Sequence, residues 1–285
     1  VVPGESTATL ATSAAASAIK HAGLSAEDID LVIVATTTPE QIIPQTAAFV
    51  HEGLGLRCGA FDVNGACAGF VYGLVVSSSL LCTAGFNHVL LVGAETLTRV
   101  VDSEDRGTAI LFGDGAGAAV LSRCSDATGP ALLGWDLGAD GNLSELIGVP
   151  AGGSRRPSSP ETLEAGLHYM KLRGQEVFRR AVRITVESSL LVLSKCGLTP
   201  SDVDLFVPHQ ANSRIIDAAV RRLGIDPGRA AVNVQRYGNT SAASIPLALF
   251  EAADEDRIDD GDLVLLSGFG AGMTWASALL RWGRP

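Results

Sequence analysis

The amino-acid sequence predicts an α/β protein in which two related halves stack in alternating layers: helix, sheet, helix, sheet, helix. Three observations predict it. First, a segment recurs: Gly23-Leu24-Ser25-Ala26-Glu27-Asp28-Ile29-Asp30-Leu31-Val32 resembles Gly197-Leu198-Thr199-Pro200-Ser201-Asp202-Val203-Asp204-Leu205-Phe206, an offset of 174 residues from Asp30 to Asp204. The same offset carries the apolar run His88–Val92 onto Asp262–Leu266 and Cys67 onto Ser241. A period this long is not that of a solenoid. Second, helical patterns alternate with apolar strand patterns in each half, which argues for mainly parallel, buried sheets. Third, Gly69–Leu81 carries no charged residue. A helix apolar on every face is buried on every side, and between two sheets is the simplest place for it.

In chain order, the spacing of apolar residues predicts a helix over 7–22 that stops before Gly23 in C-cap position, then a strand over Leu31–Thr36. From Val63 to Ala94 no residue is charged, a stretch long enough to span a bilayer. Asn64, Ser77, Ser78, Ser79, Asn87 and His88 interrupt it, so a buried helix, a turn near Gly85-Phe86-Asn87 and a buried strand are expected instead. The stretch Gly129–Glu164 is rich in Gly, Ser, Pro and Arg and is expected to form long surface loops. The second copy supplies a helix over 180–196 and a strand over Leu205–Pro208. The domain organisation expected is a first half over 1–125, connecting loops and an insertion over 126–179, and a second half over 180–285.

Composition bounds the function. The chain has 285 residues, 47% hydrophobic and 18% charged, which excludes disorder. Its net charge is −10 and no run of Lys or Arg exceeds two, so a nucleic-acid partner is not expected. The five cysteines form no CxxC and the five histidines no metal-ligand cluster, so neither a disulfide framework nor a metal site is expected. A reducing, cytoplasmic compartment is the expectation, with no signal peptide and no membrane span.

Three positions stand out chemically. Cys67 lies among small residues at a strand-to-helix turn, where a substrate can approach and a helix N-terminus would lower the thiol pKa; a buried structural cysteine is the alternative. His209 follows Val207-Pro208 at a strand's C-terminal edge, where the proline is expected to stop sheet pairing and where α/β proteins bind ligands. A satisfied core or surface histidine is the alternative. Asn239 precedes Thr240 and Ser241, either of which could cap a helix, or its amide could donate hydrogen bonds into a cleft. Two glycine-rich stretches, Phe112–Gly117 and Gly268–Gly272, lack the strand, spacing and acidic partner of a dinucleotide fingerprint. Tight backbone packing is expected of the first, whereas the second could offer N–H groups to an oxyanion.

Five motifs together resemble β-ketoacyl-acyl-carrier-protein synthase III, of the thiolase superfamily: DVNGACAGF around Cys67, DRGTAILFGDGAGAAVL from Asp105 to Leu121, VPHQANSRII from Val207 to Ile216, YGNTSAASIP around Asn239, and SGFGAGMTWASALL near the C-terminus. The resemblance runs from about Ala8 to Trp282. It implies a thiolase-like fold and a ping-pong condensation that initiates fatty-acid synthesis, in which an acyl-CoA acylates a cysteine and malonyl-acyl-carrier protein is decarboxylated and condensed with it. The family's catalytic Cys, His and Asn fall on Cys67, His209 and Asn239.

By the same resemblance, the N–H groups of Cys67 and Ala271 form the oxyanion hole and Phe269 borders the malonyl site. Arg106, Gly174, Gln175, Phe178, Ala211 and Asn212 line the CoA and pantetheine path, although relatives often have Asn at Gln175. Arg179 and Arg214 dock the acidic carrier protein, and Ile43 lies where a homodimer partner closes the acyl pocket. Acyl-CoA is a substrate and no cofactor is implied. Relatives also carry several tens of residues before the equivalent of Val1, supplying a central strand and a Trp and an Arg that clamp the CoA adenine; the first half is therefore expected to lack its first strand. A polyketide-priming paralogue and an ester-forming acyltransferase share the triad, and a carrier-protein-binding homologue without catalysis is a rival from another class. Chalcone-synthase-like and hydroxymethylglutaryl-CoA-synthase-like relatives share the fold but fit these motifs less well.

Overall fold

The computed structural model describes residues 1–126 and 128–283. The first part of the chain forms α1 (Thr7–His21), β1 (Leu31–Ala35), α2 (Thr46–Leu54), β2 (Gly59–Val63), α3 (Gly69–Thr83), β3 (His88–Thr96), α4 (Arg106–Ala109) and β4 (Asp114–Ser122). The second forms β5 (Ala131–Ala139), β6 (Ile147–Gly148), α5 (Pro160–Glu164), β7 (Lys171–Leu172), α6 (Gly174–Lys195), β8 (Leu205–Pro208), α7 (Ser213–Leu223), α8 (Val234–Tyr237), α9 (Ser244–Asp254), β9 (Leu263–Gly270) and β10 (Thr274–Arg281).

Two four-stranded sheets carry the architecture, one in the order β2-β1-β3-β4 and the other β5-β10-β9-β8. In the first, β2, β1 and β3 are parallel and β4 runs antiparallel to β3. In the second, β8 and β9 are parallel, while β10 is antiparallel to both β9 and β5. Alternation along the strands sends successive side chains to opposite faces, and the packing follows it. Ile33 and Leu91 of one sheet and Leu205, Val207, Val264 and Leu266 of the other pack on the shared middle layer with Phe70, Val71 and Leu74 of α3 and Ile245 and Ala248 of α9. Val32, Val34, Leu90 and Val92 face outward onto Ala11, Ala15 and Ile19 of α1 and Ala47 and Val50 of α2. Phe206, Leu265 and Leu279 face outward onto α6 and α7 through Val192, Leu193, Ile216 and Val220. The layers are therefore helix, sheet, helix, sheet, helix, as the repeat and the charge-free helix predict, and α3 lies between the sheets.

The repeat is visible in local detail. Both α1 and α6 are followed by a glycine of positive φ, Gly23 at 67° and Gly197 at 70°, a left-handed turn that favours glycine and satisfies the last helical carbonyls. Phe112–Gly117 is packing, not a nucleotide loop: Gly113 lies against the Tyr237 carbonyl, and a Cβ on Gly117 would stand 3.0 Å from Leu247 N.

Two expectations are corrected. The stretch 129–164 is not all loop, because Ala131–Ala139 forms nine-residue β5 and pairs with β10. Its Gly134, Asp136 and Gly138 weaken the apolar signal of an edge strand. Nor does the first sheet have an interior gap among the described residues: β1 is bonded to β2 and β3, and β3 to β4. Its free edges are β2 and β4, so the interior backbone groups are all in ladders.

Candidate active site

After β2 the chain turns through Asn64 and Gly65 into a 3-10 turn, Ala66–Ala68, that leads directly into α3. Asn64 Oδ1 accepts from Ala66 N at 3.2 Å. Ala66 has φ 48°, a left-handed value that costs a non-glycine residue about 1 kcal/mol or more and marks a tightly determined turn. Cys67 is the next residue and is partly exposed. The C-terminal end of β9 presses on it. A Cβ on Gly270 would lie 2.5 Å from Cys67 N, and one on Gly268 would lie 3.1 Å from Cys67 O. Only glycine lets these two backbones approach so closely.

Phe269, between those glycines, points to the opposite face of β9 and is buried. Its ring stands edge-on to His209, with centroids 5.5 Å apart and planes at 74°. His209 follows Pro208, but the proline does not end the ladder: Pro208 pairs with Ser267, and His209 N donates to Ser267 O at 2.8 Å. Pro208 sits where its missing N–H is not needed. The imidazole is only 2% exposed, and both ring nitrogens lack a hydrogen-bond partner among the described residues. Burial pushes its pKa down to about 3, so the ring is neutral at physiological pH, with one N–H to donate.

Asn239 is fixed by its backbone, donating to Leu111 O at 2.8 Å and accepting from Gly113 N at 2.9 Å. Its Oδ1 accepts from Ser241 N at 2.8 Å. That contact turns the amide so that Nδ2 is its free donor, with no acceptor among the described residues. Neither Thr240 nor Ser241 caps α9, whose N-cap is Ala243. The Ser241 hydroxyl instead donates to Glu95 Oε1 at 2.9 Å and neighbours the Cys67 sulfur. Cys67, Asn239 and Ser241 thus form one cluster, and the turn of β9 at 268–270 joins it to Phe269 and His209.

One expectation about Cys67 is reversed. Burial, with the buried Glu95 carboxylate nearby, pushes the thiol up to about 12, although the Ser241 hydroxyl works the other way. The resting group is a thiol, because loss of hydration outweighs the helix N-terminus at this depth. Glu95 is absent from the residues singled out from the sequence. A signal was present: a lone carboxylate ending the apolar run HVLLVGAET, and three consecutive threonines, Thr36, Thr37 and Thr38, ending the neighbouring strand. A fully buried acid needs such donors, and they surround it.

The remaining residues lie as follows. Ala271 directly follows Gly270, so its N–H and that of Cys67 are at the same junction. Gly174, Gln175 and Phe178 are exposed at the N-terminal end of α6, and Ala211 and Asn212 precede α7; Asn212 Oδ1 accepts from Arg214 N at 2.9 Å. These two helix ends converge beneath Phe269 through Val177 and Ile215. Arg179 and Arg214 are exposed on α6 and α7, and Arg106 is exposed at the start of α4. Ile43 is 82% exposed on the β1–α2 loop and lines a surface cavity of about 330 Å³ with Thr36, Asp62 and Asn64. The structure does not bring Arg106 or Ile43 into contact with the triad.

Comparison with known proteins decides the family. Two models describing 3-oxoacyl-[acyl-carrier-protein] synthase III match residues 61–141 and, for its C-terminal part, 193–282. The β-ketoacyl-[acyl-carrier-protein] synthase III of Symbiobacterium thermophilum is 50% identical over 283 residues, covering 99% of this chain and 85% of the relative. The chain belongs to the 3-oxoacyl-[acyl-carrier-protein] synthase III family. The synthase III of Aquifex aeolicus VF5 superposes with a TM-score of 0.91 at 41% identity, covering 99% of this chain and 86% of that one. The priming β-ketosynthase of the R1128 polyketide pathway is more distant, at 36% identity and TM-score 0.88, covering 100% and 84%. Membership in the synthase III family makes this an acyl-transferring condensing enzyme of thiolase-like fold.

Proposed function

We propose that the protein catalyses decarboxylative condensation of an acyl-CoA with malonyl-acyl-carrier protein, releasing CoA and CO₂ and giving the β-ketoacyl-acyl-carrier protein that begins fatty-acid synthesis. The observation that carries this reading is a buried, neutral His209 with no hydrogen-bond partner among the described residues, joined through Phe269 and β9 to Cys67. Unspent donors in a dry site are what a developing oxyanion requires.

Cys67 attacks the acyl thioester and holds the acyl group, while the N–H groups of Cys67 and Ala271 receive the negative charge of the tetrahedral intermediate. CoA leaves as its thiolate. The malonyl thioester carbonyl then lies between the His209 ring and Asn239 Nδ2. As the carboxylate leaves as CO₂, its electron pair becomes an enolate, and these donors stabilise it by roughly 3–4 kcal/mol each. The enolate carbon attacks the acyl-Cys67 carbonyl and expels the Cys67 thiolate. Phe269 covers this space and excludes water. A neutral imidazole suits the role, because it donates to the enolate without protonating its carbon.

The pantetheine arm passes the ends of α6 and α7, along Gly174, Gln175, Phe178, Ala211 and Asn212, with Arg106 toward the adenine. Arg179 and Arg214, exposed and in no ion pair among the described residues, meet the acidic carrier protein. Ile42 and Ile43, 81% and 82% exposed, are the apolar surface a second copy covers in a homodimer. The five free cysteines suit a reducing, cytoplasmic location. The division into halves, 1–125 and 180–285 with connecting segments over 126–179, belongs to the same proposal, with β5 of the connecting stretch pairing into the second sheet. Polyketide priming is the second reading, supported by the R1128 likeness, but the higher identity to fatty-acid synthases favours the first.

The test supplies acyl-CoA and malonyl-acyl-carrier protein and weighs the carrier protein by mass spectrometry. A mass gain matching the β-ketoacyl product, absent with Cys67→Ser, supports the reading. An unchanged malonyl-carrier protein, or simple decarboxylation to acetyl-carrier protein with every acyl-CoA tried, contradicts it.

A further inference from the structure

Gln210, the residue after His209, is fully buried, and its side-chain amide makes every hydrogen bond open to it. Nε2 donates to Pro208 O at 2.7 Å and to Ala231 O at 3.1 Å. Oε1 accepts from Asn233 N at 2.8 Å and from Val234 N at 3.2 Å. These partners fix which way the amide points, because two carbonyls can only accept and two backbone N–H groups can only donate. With both donors and both lone pairs engaged, the amide has nothing left to offer a substrate.

The partners of that amide belong to the two stretches of chain that carry the enolate donors. Pro208 precedes His209, whose own N–H is held by Ser267 O of β9 at 2.8 Å. Asn233 and Val234 open α8, and Asn233, as its N-cap, supplies no side-chain cap. Gln210 Oε1 takes that part, receiving the N–H groups of the cap and of the first helical residue. From there the chain is pinned without a break. Gly238 N donates to Val234 O at 2.8 Å, and Asn239 follows directly, bonded through its backbone to Leu111 and Gly113 between α4 and β4. Glu251 of α9 holds the same helix. Its Oε2 accepts from Asn233 Nδ2 at 2.9 Å, and its Oε1 lies 3.0 Å from Arg236 Nη1 and accepts from Tyr237 Oη.

His209 is thus tied to β9 and Asn239 to the segment before β4, and Gln210 with α8 is a path between them. We infer that Gln210 is a positioning residue for condensation: by clamping α8 to the end of β8 it holds Asn239 in register with His209, so that both donors meet one malonyl thioester oxygen. This rests on the condensing reading above. Two donors serve one developing oxyanion only when their separation is set before the charge appears. A displacement of about 1 Å costs roughly 10²-fold in rate. Acylation of Cys67 draws on different donors, the N–H groups of Cys67 and Ala271, which the end of β9 positions. Gln210 therefore matters for one half-reaction and not for the other, a split that general damage to the fold does not produce.

The test compares the wild type with Gln210→Met, which keeps the length of the side chain and removes its amide. Acylation is followed as mass gain on the intact enzyme after mixing with an acyl-CoA. Condensation is followed separately, from enzyme already acylated, as product formed on the carrier protein over a range of malonyl-acyl-carrier protein concentrations. The expected result is acylation at the wild-type rate, an unchanged half-saturating concentration of malonyl-acyl-carrier protein, and a maximal condensation rate lower by about 10²-fold. If Gln210→Met does not fold, Glu251→Ala decides, because it frees three side chains in and before α8; it should show a smaller loss confined to condensation. Equal slowing of both half-reactions overturns the positioning role, and so does condensation at the wild-type maximal rate. A change confined to the half-saturating concentration overturns it too, because that is lost carrier binding. A wild type that forms no β-ketoacyl product with any acyl-CoA overturns the condensing reading itself.

Discussion

His209 and Cys67 both pay a desolvation cost, and each leaves a measurable trace. Unfolded His209 binds a proton below about pH 6.5, whereas the folded ring binds one only near 3. Between these values the unfolded chain holds more protons, so the ring's contribution to stability falls as pH falls through that window. Glu95 runs the other way: its raised folded pKa adds stability at low pH that is lost as pH rises through it. The comparison is therefore between variants. Melting temperatures of His209→Gln from pH 7 to 4 should fall less steeply than those of the wild type; parallel curves would contradict a buried neutral imidazole. Cys67, pushed up to about 12, carries roughly one part in ten thousand of thiolate at pH 8. Peptide mapping after iodoacetamide at pH 7–8 should find the exposed Cys82 and Cys124 labelled first, with Cys67 labelling rising steeply with pH. Preferential labelling of Cys67 at neutral pH would contradict that assignment. Residue types and spacing disclosed Cys67, His209 and Asn239, but not the charge state of the thiol. That state depends on depth and on Glu95, a contact across 28 residues that no local spacing encodes.

At the scale of elements, the decisive contact is between the end of β9 and the turn that carries Cys67. Gly270 has an ordinary extended φ of −158°, so its need for glycine is one of space alone. Gly270→Ala should fold, displace the Cys67 N–H, and slow acylation about 10²–10³-fold, the cost of one oxyanion donor. Single-turnover acylation checks it, and wild-type speed would show that this junction is not the oxyanion site. Helices α1, α3 and α6 and the strands β1, β3 and β9 were legible because their apolar periods are long or continuous. β5 was not, because Gly134, Asp136 and Gly138 interrupt its apolar pattern and an edge strand so interrupted resembles loop. Pro208 misled in a different way: it lacks an N–H, but the ladder at that position takes its donor from the next residue, His209.

For the whole molecule, the middle layer ties the two halves into one core. Leu91 is fully buried there, with α3 packed so close that a Cβ on Gly73 would meet its Cδ1 at 2.5 Å. Leu91→Ala should cost about 2–5 kcal/mol, and chemical denaturation should still show one transition, because residues of both sheets share that layer. Two transitions would mean that the halves unfold separately. The 174-residue repeat and the charge-free helix made this layering legible, whereas the continuity of the first sheet was not, since strand order is a long-range property. The most direct measurement for the molecule as a condensing enzyme is intact-protein mass spectrometry after mixing with a panel of acyl-CoAs, beside Cys67→Ser. One acyl group gained per chain by the wild type, and none by the variant, is the expected result. Equal gain on both proteins, or none on either, would contradict Cys67 as the acyl acceptor.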